Sequence, residues 1–361
     1  MTAIPAPEAA AHEAPVLCVE AVVTSVTQLC PSFRRIALAG PELAGLSPAL
    51  IGAGDATRCR DAYIKLLVPP PGREPQRADL SLGLREGWFA RPAEERGWMR
   101  TYTVRGVRRT TFCGMVVPEL VIDVVVHGGH AQDGPGSRWA AAVSPGERVY
   151  LLGPGPRERP WAAWDHGGAH RVLAVGDETA APALMSVAEE FTDAHAGSPA
   201  GGTRPRLDVV LEVPHPEDAA AHRLPADLPD VRLHVLPRAG GGEPAGHGHR
   251  AAVRLAHLLE LPGRAVDDVL AGRRPQRGGI PPVPPAGRNA AGEIAASIAE
   301  DAAEPRAWSV ATSARAGVPY VFLAGESGTV KALRRLCVDA AGIPKDHVSF
   351  MGYWRRGQAE S

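Results

Sequence analysis

The sequence predicts two units of different fold class: an N-terminal antiparallel β-barrel and a C-terminal α/β unit with a doubly wound parallel sheet. Three observations carry this. From Val16 to about Gly153 the chain is a series of short β-type runs broken by turn residues, with no helical stretch between them. After Pro160, buried strands alternate with amphipathic helices, which is the pattern of a parallel sheet. Finally, the 361 residues exceed one typical core, since a domain usually takes roughly 100–200 residues.

Residues 1–15, "MTAIPAPEAAAHEAP", read as a flexible tail without the basic and apolar regions of a signal peptide. The barrel strands are expected in "VLCVEAVVTSV", "SFRRIALAG", "AYIKLLVPPPG", "RTYTVRG", "LVIDVVVHGG" and "GERVYLLGPGP", within 16–158. In the second unit, 168–357, "RVLAVGDETAAPALMSVAEEF" is a strand, a turn and a helix with Pro182 near its first turn. Further strands are expected at "RLDVVLEVP", "VRLHVLPR", "YVFLAGES" and "HVSFMGYW", and a helix at "SGTVKALRRLCVDAAG" closed by Gly342 and Pro344. Residues 239–306 are rich in Gly, Pro, Ala and Arg and read as a flexible insertion holding one helix, "HRAAVRLAHLLEL", and a second, "AGEIAASIAEDA".

Lys and Arg number 39 against 40 Asp and Glu, so no global field draws a polyanion and nucleic acid is not an expected partner. The five cysteines are scattered without a C-x-x-C, which argues against a disulfide framework or thiolate metal site and fits a reducing compartment. No apolar run reaches membrane-spanning length, so a soluble, cytoplasmic protein is expected.

The chemistry concentrates in "RTYT". On a strand Arg100 and Tyr102 share a face with Cα atoms about 7 Å apart. Thr101 and Thr103 point the other way, although a hydroxyl at a fraying strand end can reach round. A guanidinium suits a phosphate, a phenol ring suits stacking on a flat heterocycle, and a hydroxyl can meet a ring nitrogen. The set describes a dinucleotide with a large aromatic head. The competing reading is a plain barrel strand with a core tyrosine and a solvated arginine.

The surroundings decide between them. "RTYTVR" resembles the flavin-binding strand of the ferredoxin-reductase superfamily. With "HGGHAQDGPGSRWA", "GDETAAPA", "GES" and "GYWRRG" in that order, the chain resembles the siderophore-interacting proteins, FAD-dependent ferric-siderophore reductases. The resemblance runs from about Val16 to Gly357, apart from the expected insertion.

That resemblance implies a ferredoxin-reductase-like FAD barrel, an NAD(P)H-binding sheet unit and a ferric siderophore as substrate. Arg100 would neutralise the FAD pyrophosphate, Tyr102 would lie against the isoalloxazine with Thr101 beside it, and Thr103 would approach flavin N5. His127, Gly134, Pro135, Gly136, Ser137 and Trp139 match the second flavin motif, a small-residue turn that offers backbone N–H groups to phosphate. Family members often carry Ala where this chain has Gly136.

For NAD(P)H the implied residues are Gly176, Asp177, Glu178, Thr179, Ala180, Gly325 and Glu326. "GDETAAPA" lacks G-x-G-x-x-G and its two acids would repel a pyrophosphate, so this turn is expected to meet the nicotinamide and ribose end. Equally, its acids can simply complement a helix dipole. Arg238 can hold a 2′-phosphate or face solvent, which leaves NADPH and NADH both open, with ferredoxin as an alternative donor. For the ferric siderophore the implied contacts are Lys65, Trp354, Arg355 and Arg356, against snorkelling or plain surface charge as the bland reading. His127 with His130, and His247 with His249, sit in Gly-rich stretches with no third ligand in sight, and no metal site is expected. No acid–base residue is required, because the cofactor carries the chemistry. A monomer is expected.

Overall fold

The computed structural model describes residues 14–52, 60–126, 134–193, 204–224, 228, 230–240, 245–275, 308–311 and 317–356. The chain divides after Ala162 into two units.

In the first unit, β1 (Val16–Cys30), β2 (Phe33–Ala39), β3 (Tyr63–Val68), β4 (Trp98–Phe112), β5 (Met115–Val125) and β6 (Arg148–Pro154) form a closed barrel. Their order is β1-β2-β5-β4-β3-β6, and every pairing is antiparallel. The period-two alternation of the sequence explains the faces. Leu120, Ile122 and Val124 of β5 are buried and join Ile36, Leu38, Leu66 and Leu151 in one core, while Asp123 between them takes a bidentate pair from Arg35 at 2.7 and 2.8 Å. Each fully buried Leu or Val contributes about 1.5–3 kcal/mol. Helix α1 (Pro135–Ala142) packs against β2, β3, β4 and β5. Pro135 suits its first position, and Arg34 donates from Nη1 to the carbonyls of Ala140 and, at 2.7 Å, Ala141, placing a cation on the negative end of the helix.

In the second unit, β7 (Arg171–Gly176), β8 (Arg206–Val213), β9 (Val231–Pro237), β11 (Tyr320–Glu326) and β12 (Val348–Trp354) are parallel, and the short β10 (Trp308–Ser309) adds to β12 antiparallel. The sheet order is β10-β12-β11-β7-β8-β9. Strand succession therefore reverses between β7 and β11, the topological switch point at which open α/β sheets receive ligands. The central strands β7, β8 and β11 are near-continuous buried runs because both faces are covered, whereas β9 and most of β12 are half-buried. Helix α2 (Ala181–Asp193) contacts β7, β8 and β9. Leu173, Val175, Val210, Val321 and Leu323 share a core with buried residues of α4 (His249–Leu258), α5 (Gly263–Leu270) and α6 (Ser327–Arg335). A short helix, α3 (Pro216–Ala221), follows β8.

Two expectations are modified. Within the stretch read as a flexible insertion, the helix expected at "HRAAVRLAHLLEL" forms as α4, an unforeseen α5 follows it, and Ala251, Leu255, Val266 and Val269 of the two enter the core. The antiparallel edge strand β10 had no signal in the sequence. Residues 1–13 of the expected tail, His127, His130 and the expected helix "AGEIAASIAEDA" lie outside the described residues.

Candidate functional site

In the barrel unit, the β3–β4 register pairs Lys65 with Thr101, Leu66 with Arg100, Ile64 with Tyr102 and Tyr63 with Thr103. Arg100 and Tyr102 therefore share one face of the ladder, as the alternation predicts. Lys65 is on the other, where its ammonium donates to Thr101 Oγ1 at 3.0 Å and lies 5.9 Å from the Tyr63 ring centroid. Tyr102 is half-buried, with part of its ring packed on the barrel core, as is Trp139. Arg100 is half-buried, and its Nη1 donates to the Met99 carbonyl at 2.9 Å. Thr103 is buried.

The first turn of α1 meets this face. A Cβ placed on Gly136 would stand 2.4 Å from Tyr102 Oη and 3.4 Å from Arg100 Cγ, so the missing side chain is what lets the helix end touch the strand. Ser137 follows it in the same turn. A helix N-terminus with its outward amides, a guanidinium and a half-exposed phenol ring thus converge, and they fit a phosphate-bearing group with a flat aromatic head.

The sheet unit carries a second cluster at the carboxyl ends of its parallel strands. Asp177 closes β7, and its Oδ1 accepts from the amide and hydroxyl of Thr179, at 2.9 and 2.5 Å. Its Oδ2 accepts from the Glu326 amide at 2.7 Å and the Trp354 indole at 3.2 Å. The Asp177 carboxylate thereby bridges the β7–β11 switch point. Gly325, at φ 135°, makes room: a Cβ there would lie 2.5 Å from Asp177 Oδ2. Glu326 turns its own carboxylate to the Thr329 amide at 2.7 Å and caps α6.

Glu178 and Glu212 are also buried, the latter completely. Arg238 clasps both oxygens of Glu178 at 2.7 and 2.8 Å and reaches Glu212 at 3.4 Å. Glu212 further accepts the amides of Gly248 and Ala251, at 2.7 and 3.0 Å, and so holds the start of α4 to β8. Burial, with the charge of Glu178 behind it, pushes the Asp177 carboxyl above its ordinary range. Burial disfavours the Arg238 charge, yet the hydrogen bonds to Glu178 and the surrounding carboxylates push its pKa up.

The sequence-read residues thus fall into groups. Arg100, Tyr102 and Gly136 come together, while Lys65 and Thr101 lie on the opposite ladder face. Gly176, Asp177, Glu178, Gly325 and Glu326 come together at the switch point, with both acids turned inward. Arg238 is largely buried and its guanidinium is engaged by Glu178 and Glu212, two carboxylates that would compete with any phosphate for it. Arg355 and Arg356 are exposed, with the Arg356 amide 3.3 Å from Glu326 Oε1. Glu212 was not foreseen, although an acid inside the apolar run "VVLEV" was a usable signal. His247 was set aside, and the structure brings it to Asp177 and Glu178.

Two family descriptions match: a siderophore-interacting FAD-binding domain over residues 22–158 and siderophore-interacting protein over 169–357. The chain belongs to the siderophore-interacting protein family. Uncharacterized proteins of Mycobacterium tuberculosis and Mycobacterium bovis are 32% identical over 167 residues, 46% of this chain and 51% of theirs. The chain thus spans about half the length of the curated relatives it matches. Among solved structures, the siderophore-interacting protein SipS from Aeromonas hydrophila is 23% identical with a TM-score of 0.52, covering 94% of this chain and 92% of that one. A siderophore utilization protein from T. fusca is 22% identical with a TM-score of 0.53, covering 96% and 97%. Both share the fold.

Proposed function

We propose that this member of the siderophore-interacting protein family is an FAD-containing, NAD(P)H-dependent ferric-siderophore reductase. The observation that carries the reading is the half-exposed Tyr102 ring beside Arg100, met by the first turn of α1 across the absent side chain of Gly136. Arg100 and the backbone N–H groups of Gly136 and Ser137, in the turn that Gly134 and Pro135 open, would hold the FAD pyrophosphate. Tyr102 would stack on the isoalloxazine with Trp139 bounding it, whereas Thr101 and Thr103 alternate to the other face of the ladder and drop out of that contact. FAD, when bound, supplies the conversion between two-electron oxidation of NAD(P)H and one-electron reduction of Fe(III).

In the sheet unit the turn Gly176–Ala180 and the backbone at Gly325 and Glu326 would orient the nicotinamide end. The carboxylates of Asp177 and Glu178 hold that turn rather than contact the dinucleotide. Lys65 in the barrel unit, and separately Arg355 and Arg356 beside Trp354 in the sheet unit, are each proposed to attract an anionic ferric chelate. Hard oxygen donors bind Fe(III) far more strongly than Fe(II), so reduction itself frees the iron and no acid–base residue is needed.

The test is anaerobic: the purified protein should be yellow, bleach with NADPH or NADH, and regain its colour fastest with ferric siderophores among ferric chelates, quinones and ferredoxin. Faster recovery with a quinone or ferredoxin would make it a flavin oxidoreductase with another acceptor. A colourless protein that FAD cannot reconstitute would end the flavin reading altogether.

A further inference from the structure

The carboxylate cluster of the sheet unit contains one group that its hydrogen bonds do not explain. The His247 side chain is 7% exposed, and its Nε2 has no hydrogen-bond partner. That nitrogen stands 3.5 Å from Asp177 Oδ2 and 3.9 Å from Glu178 Oε2, beyond hydrogen-bond length. The ring is held from both sides: Nδ1 is 3.2 Å from Thr329 Oγ1, and the Trp354 ring packs edge-on at 5.4 Å. A buried ring fixed in this way, with a bare nitrogen turned to two carboxylates, has a geometry that something else must complete.

We infer that Asp177, Glu178 and His247 form a binding site for one divalent first-row transition-metal ion. A donor atom from each of the three lies within 4.8 Å of the others. Neighbouring donors around a tetrahedral ion with bonds of about 2.1 Å are about 3.4 Å apart, so the two histidine–carboxylate separations already approach a coordination edge. The charge agrees. Asp177, Glu178, Glu212 and Glu326 are all buried carboxylates and the guanidinium of Arg238 pairs with two of them, which leaves an excess of formal negative charge that a cation would offset.

Imidazole nitrogen with two carboxylate oxygens and no thiolate suits Zn(II), Mn(II) or Fe(II). The Nδ1 contact to Thr329 is the outer-shell support that metal-bound imidazoles commonly have. Arg238 uses one lone pair on each Glu178 oxygen and leaves the second for a metal. On Asp177 the ion would displace the indole N–H of Trp354, the longest of the four contacts to that carboxylate. The inference does not depend on the reductase reading.

The test uses the full-length chain, stripped with a chelator and dialysed against about micromolar free Zn(II), with bound metal counted by elemental analysis. The expected result is one Zn(II) per chain, with affinity lowered about tenfold or more by His247→Gln and retained in Trp354→Phe. X-ray absorption at the zinc edge of the wild-type protein should show one imidazole and oxygen ligands, a readout that holds even where His247→Gln does not fold. Substoichiometric zinc in the wild type, unchanged affinity in a folded His247→Gln, or a sulfur shell at the edge would each overturn the site.

Discussion

Arg238 is the residue on which the buried charge of the sheet unit turns. Its side chain is 15% exposed and supplies the one positive charge paired with both Glu178 and Glu212, which are 2% and 0% exposed. Arg238→Met keeps the bulk but leaves these carboxylates unpaired, and removing one partner of a buried pair costs about 3–5 kcal/mol. Urea unfolding should show that loss, and a loss below about 1 kcal/mol would mean that water already reaches the cluster. In the barrel, Tyr102→Ala should weaken FAD retention about tenfold or more if the ring stacks on flavin, since such stacking is worth about 1–3 kcal/mol by alanine substitution; equilibrium dialysis measures it, and unchanged affinity would remove the ring from the site. Cys337 is fully buried, which pushes its thiol up to about 12 from 9.0. Because its folded value exceeds its unfolded one, the native state holds this proton more tightly, so its contribution to stability is complete below about pH 9 and falls away between 9 and 12. Native protein at pH 8 should therefore leave Cys337 unmodified by a thiol reagent that reacts at once with exposed Cys113; rapid modification of Cys337 would show that its helix opens readily. At this scale the shared face of Arg100 and Tyr102 was legible because strand alternation is local. The partners of Arg238 were not, since Glu178 and Glu212 lie 60 and 26 residues away and only the parallel sheet aligns them.

Among elements, the β4–β5 hairpin closes on a two-residue turn in which Cys113 has φ 47° and Gly114 φ 79°. Positive φ at both central positions is the type I′ turn, which favours Asn ahead of Gly. Cys113→Asn should stabilise the barrel by about 0.5–1 kcal/mol through relief of the left-handed backbone, read as a higher urea midpoint with unchanged slope; a lower midpoint would show that the thiol packs usefully. At the switch point Gly325→Ala should do the opposite, because its Cβ would strike the Asp177 carboxylate and φ 135° disfavours a side chain. The strands of both units could be read from alternation and from buried runs. Helix α4 could be read from its sequence, where Ala251, Ala252, Leu255 and Ala256 mark one apolar stripe, whereas the eight-residue α5, flanked by Pro262 and Gly272, was not foreseen because so short a stretch shows little periodicity. The edge strand β10 spans two residues, too few for any periodicity to show.

Across the whole molecule, each unit has its own hydrophobic core, one built around Ile36, Leu66 and Ile122 and the other around Leu173, Val321 and Leu333. A unit with its own core is expected to fold alone. All the residues proposed to hold FAD, from Arg100 to Trp139, lie in the first unit, and the proposed nicotinamide turn and metal ligands lie in the second. A chain of residues 14–162 should therefore unfold cooperatively and take up FAD, whereas residues 163–356 should bind Zn(II) but no flavin. Flavin fluorescence quenching and elemental analysis of the two halves would decide both points. If the isolated barrel folds, with cooperative urea unfolding and a native-like circular dichroism spectrum, yet leaves FAD fluorescence unquenched, then Arg100, Tyr102 and the first turn of α1 are insufficient to grip the cofactor, and the grip must come from residues beyond Ala162.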